Sequence, residues 1–227
     1  MLRSTVRFEG LETTFVIDNP RDHIQDFHRR GEFYELRQLI VHRNLVQRRV
    51  TIIDVGANVG NHTLFYARHT GADRVYPIEA NPSAVAILKA NVLANPKTHG
   101  LVDDKHIGVA VGSTVGRVKI KNSLENNLGG TSFSSSDGVD GIACMPLDKL
   151  AFEGPIGLIK IDVEGMEMDV VAGADQLIRK FRPAIAIEIL RASEARFWAW
   201  TRENQYQPIC AFFDYINIKN YILIPTE

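Results

Sequence analysis

Cysteine is nearly absent from the sequence: Cys144 and Cys210 stand far apart, in no CxxC pairing. That scarcity argues against a disulfide framework or a structural zinc site, and it suits a reducing compartment. No apolar run approaches the ~20 residues needed to cross a bilayer, so no membrane span is expected. Excess charge is lacking too, with a formal net charge of -1, 23% charged and 45% hydrophobic residues. Such a balance gives no global pull toward nucleic acid or a membrane surface, and neither is expected as a partner. Met1-Leu2-Arg3-Ser4 offers no apolar signal core, so a cytoplasmic location is expected. There is no internal repeat and no low-complexity tract beyond Ser134-Ser135-Ser136.

What the chain does have is alternating periodicity. Val6 to Leu11 and Thr13 to Ile17 read as an N-terminal hairpin, and Asp22 to Val46 as helical with a break at Gly31. From Thr51 the pattern becomes strand, helix, strand, helix: Thr51 to Val55, Asn61 to His69, Arg74 to Ile78 and Asn81 to Asn95. Pro82 suits an early helical position. Lys105 to Val111 is expected as a third strand, and Arg117 to Lys121 as an exposed antiparallel one. Asn126 to Gly141, rich in Asn, Gly and Ser, reads as a long loop able to act as a lid or substrate wall. Gly157 to Asp162 and Ala184 to Glu188 follow as strands, Met166 to Arg179 and Ser193 to Gln205 as helices. Pro208 to Phe213 and Tyr221 to Ile224 suit a closing antiparallel pair. The expected fold is α/β: a Rossmann-like, doubly wound, mostly parallel sheet with a C-terminal antiparallel strand pair and a small N-terminal hairpin and helical cap. The expected division is a cap over 1–50 and a cofactor-binding domain over 51–227, with a loop insertion near 112–146.

Two segments carry chemistry. The first is Ile52 to Asn61, a buried strand entering a glycine turn and then a helix. Gly56 and Gly60 suit a sharp strand-to-helix turn whose backbone approaches a ligand. The nicotinamide pattern G-x-G-x-x-G fails, because its second and third glycines fall on Asn58 and Asn61. S-adenosylmethionine has no pyrophosphate to seat on the helix, and its ammonium group wants carboxylates or amide oxygens such as Asp54 and Asn58. Glu79, at the end of the next strand, is placed to accept ribose hydroxyls, with a helix-start acid as the competing reading. Ala80, and Ala110 with Val111, are expected to flank the adenosine. The expected cofactor is thus S-adenosylmethionine, leaving as S-adenosylhomocysteine.

The second segment is Leu158 to Glu167. In an open α/β sheet, chemistry lies beyond the carboxyl ends of the strands, and here that end carries Asp162 and Glu164. Period-two alternation puts Lys160 and Asp162 on one face, and a lysine inside a central strand needs a partner. Methyl transfer to a hydroxyl requires in-line approach and removal of a proton. Glu164 and Asp162 are the candidate bases, with Lys160 paired to Asp162 or substrate and Glu188 orienting the acceptor. Asp162 also borders the cofactor. Glu167 reads equally as a helix-start acid. No histidine falls at ligand spacing among these acids, so no metal is expected. His62 reads as a helix-start residue, Phe197, Trp198 and Trp200 as packing against the sheet, and Phe212, Phe213 and Tyr215 as a rim for the acceptor.

Several of these stretches carry a resemblance. Asp54 to Asn61, Asn127 to Ser132, Leu147-Asp148, Lys160 to Glu167 and Pro183 to Glu188, with Gly31 to Glu35 ahead of them, resemble the FkbM family of methyltransferases in order and spacing. The likeness spans roughly residues 31 to 225, and its KIDVEG-type motif is more specific than the glycine turn. The chain departs from the pattern at Glu79-Ala80-Asn81-Pro82, where a proline often follows the acid directly. The resemblance implies a class I methyltransferase fold and S-adenosylmethionine-dependent O-methylation of a sugar, glycan, polyketide or related natural product. The expected partner is therefore a small-molecule or glycan acceptor; a homo-oligomer is compatible with the cap. The rival readings are an NAD(P)-dependent oxidoreductase and a non-catalytic cofactor-binding scaffold.

Overall fold

The computed structural model describes residues 2–46, 48–124, 126–136, 140–215 and 217–226, without the side chains of 123, 124, 214 and 215. In chain order the elements are β1 (Leu2–Phe8), β2 (Leu11–Ile17), α1 (His23–Arg29), α2 (Leu36–Leu45), β3 (Thr51–Val55), α3 (Asn61–His69), β4 (Arg74–Ile78) and α4 (Pro82–Leu93). There follow β5 (Ala110–Val111), β6 (Gly116–Leu124), β7 (Asn127–Ser135), β8 (Ile142–Met145), β9 (Ile156–Ile161), α5 (Glu167–Ala172) and α6 (Asp175–Phe181). The chain closes with β10 (Ala184–Leu190), α7 (Glu194–Glu203), β11 (Tyr206–Tyr215) and β12 (Ile218–Pro225).

The main sheet runs β11-β12-β10-β9-β3-β4. Its inner strands β10, β9, β3 and β4 are parallel, and β12 and β11 add antiparallel. All five residues of β3 are buried, as expected of a strand covered on both faces. Alternation sorts its side chains. Ile53 and Val55 join Ile159, Ile161, Val170, Ile178 and Phe197 on one face. Ile52 joins Leu158, Val75, Leu64 and Phe65 on the other, where Val6, Phe15, Ile17, Phe33 and Leu39 of the N-terminal segment enter the same core. Phe197 stacks on Tyr221 at 4.8 Å, so α7 packs on the sheet as its sequence suggests.

Three expectations are corrected. The strand over Lys105 to Val111 shrinks to β5, which leaves the main sheet and pairs with β8. Asn126 to Gly141 is no loop over its described part: β7 pairs antiparallel with β6 and completes a second sheet, β5-β8-β6-β7. Small polar residues pass for loop composition, yet a partly exposed ladder accepts them because backbone hydrogen bonds carry the pairing. Residues 137–139 of that expectation lie outside the described residues. The single helix over Met166 to Arg179 is two, α5 and α6, parted at Gly173, where an added Cβ would overlap the Gly112 carbonyl.

Side-chain amides fasten the N-terminal segment. Asn95 accepts from Thr14 N at 2.9 Å and donates to Thr14 O at 2.7 Å, while Asn91 accepts from Val16 N at 2.6 Å and donates to Val59 O at 2.7 Å. The outer edge of β2 is thereby satisfied by α4 without another strand. Asn61, first residue of α3, accepts from Tyr34 N at 3.1 Å and donates to Tyr34 O at 2.9 Å. Its Oδ1 also takes the Nε2 hydrogen of buried His28 at 2.9 Å, and that ring stacks on Phe15 at 3.7 Å.

Burial pushes the His28 pKa down to about 4, against a smaller opposing effect of the Asn61 bond. Its Nδ1 is buried without a partner, so a second proton finds no acceptor. With the folded pKa below the unfolded value, the unfolded chain binds more protons as pH falls, and stability drops between about pH 6.5 and 4. His28 alone accounts for on the order of 3 kcal/mol of that loss at pH 4. Urea unfolding across this range is expected to show a shallower decline for His28→Gln; an unchanged slope would place the acid sensitivity elsewhere.

Candidate functional site

A cavity of about 540 Å³ opens beyond the carboxyl ends of β3, β4, β9 and β10, a size suited to a cofactor and part of a substrate. Gly56 to Val59, Asn61 and Glu79 form one wall. Ile78, Ala80, Val109, Ala110, Val111, Phe133 and Met166 give it an apolar shelf. Asp162, Glu164 and Glu188 gather at the other end, and β7 from Asn127 to Thr131 closes it with His23, Ile24, Tyr34 and Glu35 of the N-terminal segment.

The glycine turn is built for close packing of protein on protein. Gly56 has φ +74° and an added Cβ would overlap the backbone carbonyl of Asp162; its N–H and that of Ala57 both donate to Ile78 O, at 2.9 and 3.0 Å. Gly60 has φ +89°, and its Cβ would meet only the flexible tip of Leu88 at 2.7 Å. The first glycine is therefore required by the neighbouring strand's backbone, a constraint no sequence spacing shows.

Lys160 and Asp54 are register partners on β9 and β3. The Lys160 ammonium donates to Gly56 O at 2.8 Å and lies 3.5 Å from Asp54 Oδ1 and 3.4 Å from Asp162 Oδ2. Burial pulls its pKa down, but Asp162, Asp54, Glu35 and Glu188 outweigh that and raise it. Asp54 is fully buried, takes the Thr63 hydroxyl at 2.6 Å and does not line the cavity. Asp54, expected to serve the cofactor's ammonium directly or through water, has its oxygens facing Lys160 and Thr63.

Glu79 is buried at the end of β4. Its Oε1 accepts from Ala80 N and Asn81 N at 2.8 and 2.7 Å, and its Oε2 from Asn58 N at 2.7 Å. Burial raises its pKa against those three amides and Lys160. Glu79 thus fastens both the glycine turn and the entry to α4, whose own cap is Asn81, with side chain accepting from Ser83 N. Asn58, on the cavity wall, has φ +49°, and its Oδ1 is buried with no hydrogen-bond partner. Asn61 borders the cavity, but its amide is committed to Tyr34 and His28. Ala80, Ala110 and Val111 lie on the wall as expected.

Asp162 and Glu188 share a face because Lys160 pairs with Ala186, setting the next outward residues of β9 and β10 side by side. Glu164 joins them from a left-handed backbone, φ +53°, a conformation that costs a non-glycine residue and clusters at functional sites. Single oxygens of Asp162, Glu164 and Glu188 all lie within 4.8 Å of one another, close enough to hold a metal ion. Burial first, then Asp162 and Glu167, pushes the Glu164 pKa up to about 7. Glu188 is raised much further, by burial first, then by the charge of Asp162 and a hydrogen bond with it, and by Glu164.

Glu167 is not on the cavity wall; it accepts from Gly165 N at 2.5 Å at the start of α5, the helix-start role. His62 does border the cavity, buried and 3.6 Å from Glu35; burial, then Lys160 and His42, holds it neutral. Phe212 and Phe213 do not rim the cavity, and Phe213 is exposed; the Tyr215 side chain is outside the described residues. Ile218 takes that position. The stretch expected as a loop able to wall the substrate lines the cavity as strand β7, and Asp22, accepting from Leu128 N at 2.9 Å, was not read from the sequence.

A family model described as the methyltransferase FkbM domain matches residues 54–221. The chain belongs to the FkbM methyltransferase family. Its cofactor is accordingly S-adenosylmethionine, and two features of the cavity fit that group: the orphaned Asn58 oxygen and a Glu79 carboxylate beside small apolar walls. Among solved structures the chain is similar to the methyltransferase FkbM from Methylobacillus flagellatus KT, at 18% identity and TM-score 0.58 over 88% of this chain and 52% of that one. It is similar to M. capricolum TrmK, solved with S-adenosyl-homocysteine, at 12% identity and TM-score 0.52 over 86% and 69%. The M. jannaschii tRNA m1G37 methyltransferase gives 12% identity and TM-score 0.53 over 99% and 55%. These likenesses show the fold, and the chain spans about half the length of the FkbM structure it matches. A search of curated proteins finds no significant match.

The two glycines of the family's turn make a graded test. Gly56→Ala is expected to cost about 3 kcal/mol or more, since backbone cannot yield. Gly60→Ala is expected to cost about 1–2 kcal/mol, the left-handed penalty with a side-chain tip moving aside. Chemical denaturation of both variants checks the order; equal costs would refute the assigned contact with Asp162.

Proposed function

We propose that the chain is an S-adenosylmethionine-dependent O-methyltransferase whose acceptor is a hydroxyl of a sugar, glycan or related natural product. The observation that carries this reading is the carboxylate group Asp162, Glu164 and Glu188, facing the same cavity as the glycine turn and Glu79.

In this reading Glu79 receives the ribose hydroxyls on Oε2, and Ala80, Ala110 and Val111 flank the adenine. Asn58 Oδ1 accepts from the ammonium group, and Gly56 and Gly60 shape the turn beneath. Bound S-adenosylmethionine supplies an electrophilic methyl on a sulfonium that is already a good leaving group. The protein's task is to aim the nucleophile and take up its proton. Glu164, half-buried at the cavity end, accepts the proton of the acceptor hydroxyl, while Asp162 and Glu188 orient it. Lys160 holds Asp162 and the Gly56 carbonyl in place and acts on the acceptor only through them. Asp54 is a positioning residue for Lys160.

The lining favours an uncharged acceptor. Lys160 is the only lysine or arginine among the described cavity residues, and its ammonium is already shared among three oxygen partners. Among the described residues, a phosphate-bearing acceptor would meet three carboxylates and one ammonium already committed to protein oxygens. This supports a hydroxyl-rich small molecule or glycan over RNA, although some proteins of similar fold are tRNA methyltransferases by name.

A methyl-transfer screen with labelled cofactor over neutral saccharides, nucleotide sugars, lipid-linked glycans and tRNA tests the assignment; label entering tRNA alone would overturn it. With an acceptor in hand, Glu164→Gln is expected to lower turnover by about 10²-fold or more and leave S-adenosylhomocysteine affinity intact. Glu79→Ala is expected to do the reverse, weakening that affinity by about 1.5–3 kcal/mol.

A further inference from the structure

We infer that Asp162, Glu164 and Glu188 together bind a divalent cation of the hard, oxygen-preferring class. Two segments of chain bring the ligands to one point: the turn that leaves β9, carrying Asp162 and the left-handed Glu164, and the outer half of β10, carrying Glu188. Each contributes one oxygen, and the three oxygens lie within 4.8 Å of one another. Oxygens around a cation with ligand distances of about 2.0–2.6 Å are separated by comparable spans.

A second observation points into the same spot. Glu188 is only 7% exposed, and its Oε2 is buried with no hydrogen-bond partner while the residue lines the cavity. A buried, unpartnered carboxylate oxygen is costly, and the Glu188 carboxyl stands beside those of Asp162 and Glu164. Among the described cavity residues the one lysine or arginine, Lys160, is on the Asp162 side, its ammonium divided among Asp162, Asp54 and Gly56 O. A divalent ion between the three acids supplies the missing countercharge and satisfies the orphaned oxygen at once.

The ligand chemistry selects the metal. All three groups are carboxylates, with no cysteine or histidine among them, which suits Mg²⁺, Mn²⁺ or Ca²⁺ over zinc or copper. Three protein oxygens leave coordination positions open toward the cavity for water or an acceptor oxygen. Each carboxylate spends one oxygen on the ion, so Glu164 retains its second oxygen for the acceptor proton. That last point rests on the proposed hydroxyl acceptor; the cation site itself does not.

The test is Mn²⁺ titration of the chelator-stripped full chain, read by loss of the free-ion electron paramagnetic resonance signal. One saturable Mn²⁺ per chain is expected at concentrations below about 1 mM, displaced by excess Mg²⁺ or Ca²⁺. Glu188→Gln and Glu164→Gln should each weaken it by at least about tenfold, because one of three anionic ligands is lost. Calorimetry with S-adenosylhomocysteine certifies each variant as folded; if Glu188→Gln fails that check, the half-buried Glu164→Gln decides. Absence of saturable binding, or binding that both folded variants retain in full, overturns the cation site. Either result leaves the methyl-transfer reading to be judged by its own screen.

Discussion

One buried ammonium organises this molecule's working end. Lys160 sits inside a central strand, where an unpaired charge is prohibitively costly. Its position is tolerable because Asp54 lies beside it on β3, Asp162 stands just past the end of β9, and the Gly56 carbonyl turns toward it. The same contact that pays for the charge fixes the glycine turn relative to the carboxylates beyond β9. Gly56 can make that approach only because it lacks a Cβ. Cofactor wall and acid cluster are thus two ends of one electrostatic clamp, and neither can shift without unpairing a buried group.

Much of this was legible in the sequence. The β3, β4, β9 and β10 strands are apolar runs whose alternation predicts their faces, and Lys160 within such a run demanded a partner. Glu79, Asp162, Glu164 and Glu188 all reach the cavity because each stands at or just past the carboxyl end of a parallel strand, a placement that period-two patterning can anticipate. The pairing of Asp54 with Lys160 was not legible, for an instructive reason. An acid before a glycine turn looks the same in sequence whether it faces a ligand or a lysine on the next strand; only the pairing register of β3 and β9 separates the two.

What stayed hidden depended on contacts far apart in the chain. The Asn127–Ser135 strand has little intrinsic β preference and exists because β6 pairs with it. The split between α5 and α6 follows from the close approach of Gly173 to Gly112, sixty-odd positions away in sequence. The stitching of β2 to α4 by Asn91 and Asn95, and of the N-terminal segment to α3 by Asn61, uses residues whose composition says only that they are polar. Those amides place Tyr34 and Glu35 over the cavity, so the N-terminal segment is part of the site's architecture.

The site's geometry turns on the Lys160 clamp, and a double-mutant cycle of Lys160→Met and Asp54→Asn, followed by denaturant unfolding, tests it most directly. Removing either partner alone leaves a buried charge uncompensated, at a cost of about 3–5 kcal/mol. Together the two substitutions should cost markedly less than their sum, with a coupling of about 1–3 kcal/mol. Strictly additive losses would mean that the ammonium and Asp54 act independently, and that something other than this pair holds the glycine turn against the acids.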